Sequence, residues 1–168
     1  MKTIITLLCL IWTSLIWGQS MQNLNNAEKL KYFFQKLDKN SMSLVSEFYS
    51  TDAEFIDPIG KMKGAAALKK YYEGLYENAE EIRFDFSNVY ESGNTVVGIW
   101  SMTLKTKKLN GGEPYTVDGN SVVTFDPATG KAIYHRDYFD MGAFVYEKVP
   151  VVGFVIRKLR ENLEHKEK

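Results

Sequence analysis

The spacing of apolar residues changes period once along this chain, near residue 81, and that change restricts the fold more than any other feature. Before it, "NNAEKLKYFFQKLDKN" sets Leu30, Phe33, Phe34 and Leu37 at helical spacing, with Asn25 and Glu28 three apart as a capping box. A short second helix in "SLVSEFY" buries Leu44, Val45 and Phe48, and "AEFIDPIG" reads as a short strand stopped by proline. "GAAALKKYYEGLYENAE" is a third helix, with Leu68, Tyr71, Tyr72 and Leu75 on one side. After residue 81, Ile82, Phe84 and Phe86 alternate with polar residues. The turns "ESGN", "NGGEP" and "DPATGK" then separate "TVVGIWSMTLK", "YTVDGNSVVTF" and "KAIYHRDYF", which completes four strands joined as hairpins. Helices in one block and antiparallel strands in another predict an α+β domain, with the helices covering one face of a curved sheet. At 168 residues the chain suits one domain with a substantial core.

Both ends differ from this middle. Residues 1–20, "MKTIITLLCLIWTSLIWGQS", run from Lys2 through an uncharged apolar stretch to the small residues Gly18 and Ser20. That is the order of a secretory signal peptide, and the apolar run is too short for a comfortable membrane span. The expectation is export, to the periplasm or outside the cell; if Met21 is the true start, the protein is cytoplasmic. Removing Cys9 leaves no cysteine, so the mature domain uses neither disulfides nor thiol chemistry. The main domain is placed at residues 21–147. Residues 148–168 form a C-terminal helix and charged tail, with Val152, Val155, Ile156, Leu159 and Leu163 as an apolar stripe and Arg157, Lys158, Arg160 and Lys166 largely outside it. Such a stripe is expected to dock on its own domain or a partner subunit, in preference to lying on a membrane surface.

Composition narrows the function. Apolar residues make up 45% and charged residues 25%, with 21 of each sign, so the chain is an ordinary globular one with no electrostatic footprint for nucleic acid. No Gly-rich phosphate loop, cysteine cluster or metalloprotease helix is present, so no cofactor and no metal site is expected.

The densest chemistry lies in "YHRDYFD", residues 134–140. On a strand His135, Asp137 and Phe139 share one face, while Tyr134, Arg136 and Tyr138 share the other. His135 is the only histidine outside the charged tail that holds His165. An imidazole beside a carboxylate exchanges protons near neutral pH, or forms a static pair. Asp57, in "DAEFIDPIG", is flanked by Phe55, Ile56 and Ile59, where desolvation would favour its neutral form. An aspartate before proline is also a common turn starter.

Taken together, the three helices, "YSTDAEFIDPIG" and a four-strand meander ending in "HRDYFD" resemble the nuclear-transport-factor-two-like superfamily over roughly residues 25 to 145. That group includes ketosteroid isomerase-like proteins, limonene epoxide hydrolases and SnoaL-like polyketide cyclases. The resemblance implies a cone-shaped barrel of curved, mainly antiparallel sheet, wrapped by three N-terminal helices, with a deep apolar pocket at its open end. It places Asp57 at the general base of ketosteroid isomerases. The oxyanion-hole tyrosine of those enzymes falls on Phe33 with Tyr32 one step away, and their protonated acid falls near Ser121. "HRDYFD" is similar to the "WRDYFD" segment of limonene epoxide hydrolase, which matches Asp137 to one of its two acids. The arginine and second acid of that enzyme would lie in "GIWSMTLK", where this chain has Trp100, Ser101 and Met102.

The expectation is therefore an apolar pocket floored by Asp57, His135 and Asp137 as catalytic candidates, with Tyr32, Phe33, Phe55, Tyr72, Trp100, Met102, Ser121 and Phe139 contacting a small hydrophobic molecule. Its sharper form is a cofactor-free isomerase or hydrolase of a small apolar carbonyl or epoxide compound. Its alternatives are ligand binding without turnover, or a homodimeric assembly module built on the weakly polar outer sheet face of Val97, Ile99, Ser101 and Thr103.

Overall fold

The structure, a computed structural model, describes residues 21–164. The signal-type segment of residues 1–20 and His165 lie outside the described residues.

Helix α1 (Asn26–Lys36) begins at the expected capping box: the Asn25 side chain accepts the Glu28 N–H at 2.8 Å, and the Glu28 carboxylate accepts the Asn25 N–H at 3.0 Å. Helix α2 (Ser43–Phe48) passes directly into strand β1 (Tyr49–Ile56), so that strand starts earlier than the motif "AEFIDPIG" indicated. The turn at Pro58 then folds the chain back into a three-residue strand, β2 (Lys61–Lys63), which periodicity over so short a run does not reveal. Helix α3 (Ala65–Glu77) follows, then β3 (Glu81–Ser92), β4 (Thr95–Lys105), β5 (Tyr115–Phe125) and β6 (Ala132–Phe139). A single turn, α4 (Met141–Phe144), leads through a 3-10 turn at Tyr146–Lys148 to α5 (Pro150–Glu164).

One six-stranded sheet runs in the order β2-β1-β6-β5-β4-β3. Every pairing is antiparallel except β1 with β6, which run parallel and join the early strand to the last. Register shifts near Ser87, between Tyr49 and Glu54, and between Thr124 and Phe125 add the local bends that a curved sheet needs. The fold is thus the expected α+β arrangement, with α1, α2 and α3 packed against the sheet. Between them lies an aromatic core in which Phe33 stacks on Phe48 at 4.3 Å and meets Tyr49 and Tyr72 edge-on. Burying each ring contributes on the order of 2 kcal/mol. Gly119 makes room for one of these rings: a Cβ there would lie 2.3 Å from the Trp100 indole, so any side chain would push the tryptophan off the sheet.

The C-terminal helix departs from expectation. It does not lay its apolar stripe on the domain. The close contact is through Gly153, where a Cβ would come within 2.3 Å of the Glu147 carbonyl oxygen. Arg160 then bridges Asp140 at 2.9 Å and Glu147 at 2.5 Å. Small and polar residues therefore face the domain, leaving Val152, Val155, Leu159 and Leu163 exposed. Among the described residues no helix is long and apolar enough to cross a membrane.

Candidate functional site

Alternation along β6 puts His135 and Asp137 inside the sheet's concave face and Arg136 outside, since Arg136 is exposed and its guanidinium lies 4.7 Å from the Tyr138 ring. His135 is completely buried, packed edge-on against Phe55 at 4.9 Å and Phe34 at 5.8 Å. Its Nε2 lies 2.8 Å from Asp137 Oδ1, and its Nδ1 lies 2.5 Å from the Tyr49 hydroxyl. A carboxylate only accepts, so Nε2 donates to Asp137. The Tyr49 hydroxyl is also hydrogen-bonded to the Tyr72 hydroxyl at 3.0 Å. From the other side, the Trp100 indole N–H donates to Ser121 at 2.9 Å, and Ser121 donates to Asp137 Oδ1 at 2.5 Å. Two donor chains therefore converge on one oxygen of Asp137. Its other oxygen, Oδ2, has no hydrogen-bond partner among the described residues, and the side chain lines a cavity.

Asp57 lines the same cavity and is treated differently. Its Oδ1 accepts the Ile59 and Gly60 N–H groups, both at 2.8 Å, which closes the turn behind Pro58. Its Oδ2 accepts the Tyr71 hydroxyl. Both oxygens are engaged. Burial, reinforced by the bond to Asp57, holds the Tyr71 hydroxyl far above its ordinary pKa, so Tyr71 stays neutral. Burial does the same to Tyr49 and Tyr72.

The cavity enclosing these groups measures about 60 Å³, room for a few waters, and its remaining wall is apolar. Of the candidates, Asp57, Asp137, Phe55, Tyr72, Trp100, Met102 and Phe139 line it. His135 and Ser121 lie behind the wall, bonded to Asp137. Phe33 and Tyr32 are placed elsewhere: Phe33 sits wholly in the core between α1 and α2, and Tyr32 packs on its edge. The helix turns its next residue, Phe34, to the cavity instead. Sequence reasoning passed over Phe34, Tyr71 and Phe144, all of which line it.

A second, larger chamber of about 290 Å³ opens beside the first, between the end of α3, the strands β3 and β4, and residues 106–109. Tyr72, Leu75, Phe84, Met102 and Phe144 wall both spaces. Phe144 is held there by the Tyr115 hydroxyl, which donates to its carbonyl at 2.8 Å; burial pushes that hydroxyl up to about 12. Among the described residues, no three His, Cys, Asp or Glu side chains gather as a metal site would require.

Residues 30–135 match the SnoaL-like domain family. This chain belongs to that family. Three solved structures show how far the likeness extends. A protein from Shewanella denitrificans OS-217, provisionally named a SnoaL-like polyketide cyclase, is 19% identical with a TM-score of 0.63, over 71% of this chain and 93% of its own. TerC, co-crystallized with polyporic acid, is 20% identical with a TM-score of 0.61, over 71% and 94%. A hypothetical protein of ketosteroid isomerase-like fold from Catenulispora acidiphila, in complex with trimethylamine, is 15% identical with a TM-score of 0.58, over 70% and 85%. No curated protein sequence matches this one. At such identities the solved structures establish the fold of the SnoaL-like domain, and the chemistry must be argued from its own side chains.

Proposed function

We propose that this SnoaL-like domain binds a small, largely apolar molecule in its cone and moves a proton on it with Asp137, without a cofactor. The observation that carries this reading is the asymmetry of that carboxylate. Two donors fix Oδ1, while Oδ2 has no hydrogen-bond partner among the described residues and the side chain lines a largely apolar cavity. A base held in place by one oxygen and free at the other is oriented for transfer with little reorganisation. His135 positions Asp137 and does not touch the ligand. Both oxygens of Asp57 are already bonded, to two backbone N–H groups and to Tyr71, so the geometry favours Asp137 over Asp57 as the base. The structures of relatives holding polyporic acid or trimethylamine are consistent with small organic ligands in this fold.

The test is solvent deuterium exchange. Small cyclic ketones bearing acidic C–H bonds are incubated in deuterated buffer and followed by proton NMR. Exchange is expected with the native protein, and it should slow about 100-fold or more in Asp137→Asn.

A second reading, binding without turnover, is favoured by one observation. The Tyr71 hydroxyl is committed to Asp57 and the Tyr72 hydroxyl to Tyr49, so neither is free to hold a developing oxyanion. Ligand-induced shifts without exchange would select it. Export and homodimer formation belong to the same proposal, supported by the composition of residues 1–20 and by the apolar character of outer-face residues such as Ile99. A monomer in sedimentation at micromolar concentration would remove the dimer.

A further inference from the structure

The larger chamber differs from the inner cavity in the sign of the charge it can offer. The inner cavity has two carboxylates on its wall, Asp57 and Asp137. The outer chamber is almost wholly apolar, and among the described residues the one charged side chain lining it is Lys108. The lysines before Lys108 have a carboxylate nearby: Lys105 and Lys107 share Glu80, at 3.1 and 3.9 Å. Lys108 has no carboxylate within 4.0 Å among the described residues. Its ammonium instead donates to Asn78 Oδ1 at 2.5 Å.

That asparagine is itself oriented. Its Nδ2 donates to the Gly74 carbonyl at 3.0 Å, so Oδ1 is turned to the lysine. Its backbone carbonyl accepts the Thr106 hydroxyl at 2.7 Å, tying the end of α3 to the end of β4. A neutral acceptor thus holds the ammonium at the rim while using one of its three N–H donors. An apolar chamber of about 290 Å³ with a held, uncompensated cation at its rim suits one class of molecule.

We propose that the outer chamber is a subsite for an amphiphilic organic acid, a medium-length acyl chain or a fused ring pair carrying one carboxylate. Lys108 engages the acid, and the apolar body runs inward toward the wall of Phe144 and Met102. The inference rests on the reading of the cone as a small-molecule site and names its ligand class. The charge gradient sets the orientation. An acidic group is repelled from Asp57 and Asp137 and attracted at the rim, so the far, uncharged end faces the inner cavity.

Binding of decanoate, decanol and decyltrimethylammonium to the full chain is measured by calorimetry, with the native protein and with Lys108→Met, Leu75→Trp and Asp137→Asn. Decanoate is expected to bind at least about tenfold tighter than decanol, a difference of about 1.4 kcal/mol. Lys108→Met should abolish that preference while leaving decanol binding unchanged. Because Lys108 is exposed, this variant folds. Leu75→Trp, which fills the chamber, should weaken both ligands. Equal binding of decanol and decanoate, tighter binding of the cationic amphiphile, or a preference that survives Lys108→Met would each overturn the proposal. Asp137→Asn removes one repelling charge, so the decanoate preference should persist or increase. A preserved preference without any deuterium exchange would sink the proton-transfer reading alone, and exchange without the preference would sink the subsite alone.

Discussion

The cavity has two carboxylates on its wall, at the ends of the paired strands β1 and β6, and the protein handles them in opposite ways. Asp57 is surrounded: two backbone N–H groups and a tyrosine hydroxyl occupy both its oxygens. Asp137 is braced from behind and open in front. The first arrangement closes a turn and anchors α3 to β1 through Tyr71. The second leaves one carboxylate oxygen without a hydrogen bond among the described residues, on a side chain that lines the cavity. Proximity to a pocket therefore does not make a carboxylate reactive; the difference lies in which of its oxygens the fold has already used.

The largest effect should come from removing the brace. His135→Ala leaves the Tyr49 hydroxyl and Asp137 Oδ1 each short of a partner in a fully buried position, and opens a void among Phe34, Phe55 and Tyr49. A loss of about 3–5 kcal/mol in urea unfolding is expected. The two carboxylates can then be set against each other directly. Asp57→Ala strands two N–H groups and a buried hydroxyl and should cost about 2–3 kcal/mol. Asp137→Asn keeps an acceptor for Ser121 and His135 and places its new amide toward the cavity, so its cost should stay under about 1 kcal/mol. Equal costs for the two would break the contrast.

A further contrast between the two sides is read in alkaline solution. Burial raises the folded-state pKa of Tyr49, Tyr71 and Tyr72 above the ordinary 10.0, so the unfolded chain loses its phenolic protons first. Stability from these groups is complete below pH 10 and declines above it, by about 1.4 kcal/mol per pH unit for each such tyrosine. Tyr71→Phe on the Asp57 side and Tyr49→Phe on the Asp137 side should each reduce that slope by one tyrosine's share. An unchanged slope in either variant would mean that its hydroxyl already ionises in the native state.

Much of this organisation was legible in the sequence. The change of period gave the layer order; strand alternation put His135 and Asp137 on one face, and the family resemblance turned that face inward. The Asn25–Glu28 cap was readable because it depends only on local spacing. What escaped reading depended on contacts between distant segments. Tyr49 ends an apparent helix in the sequence, yet it opens β1; the even spacing Tyr49, Ala53, Phe55 was the available signal. Phe33 and Phe34 belong to one helical stripe, and only the placement of α2 decides that Phe33 is core and Phe34 is wall. The C-terminal stripe predicted apolar docking, but Gly153 and the Arg160 ion pairs set the opposite rotation. The outer chamber is formed where α3, β3 and β4 end, and no periodicity marks such a place.

The parallel pairing of β1 with β6 has a kinetic consequence. The Tyr49–His135 hydrogen bond joins residues 86 apart, and the register sets Phe55 opposite His135. Closing so long a loop costs conformational entropy before any contact compensates for it, which places this seam late in folding. The β3–β4–β5 meander needs no such closure and can form first. A nascent or partly folded chain therefore contains both carboxylates but no cavity. Any reactivity appears only when the last strand docks, in the same step that completes the sheet.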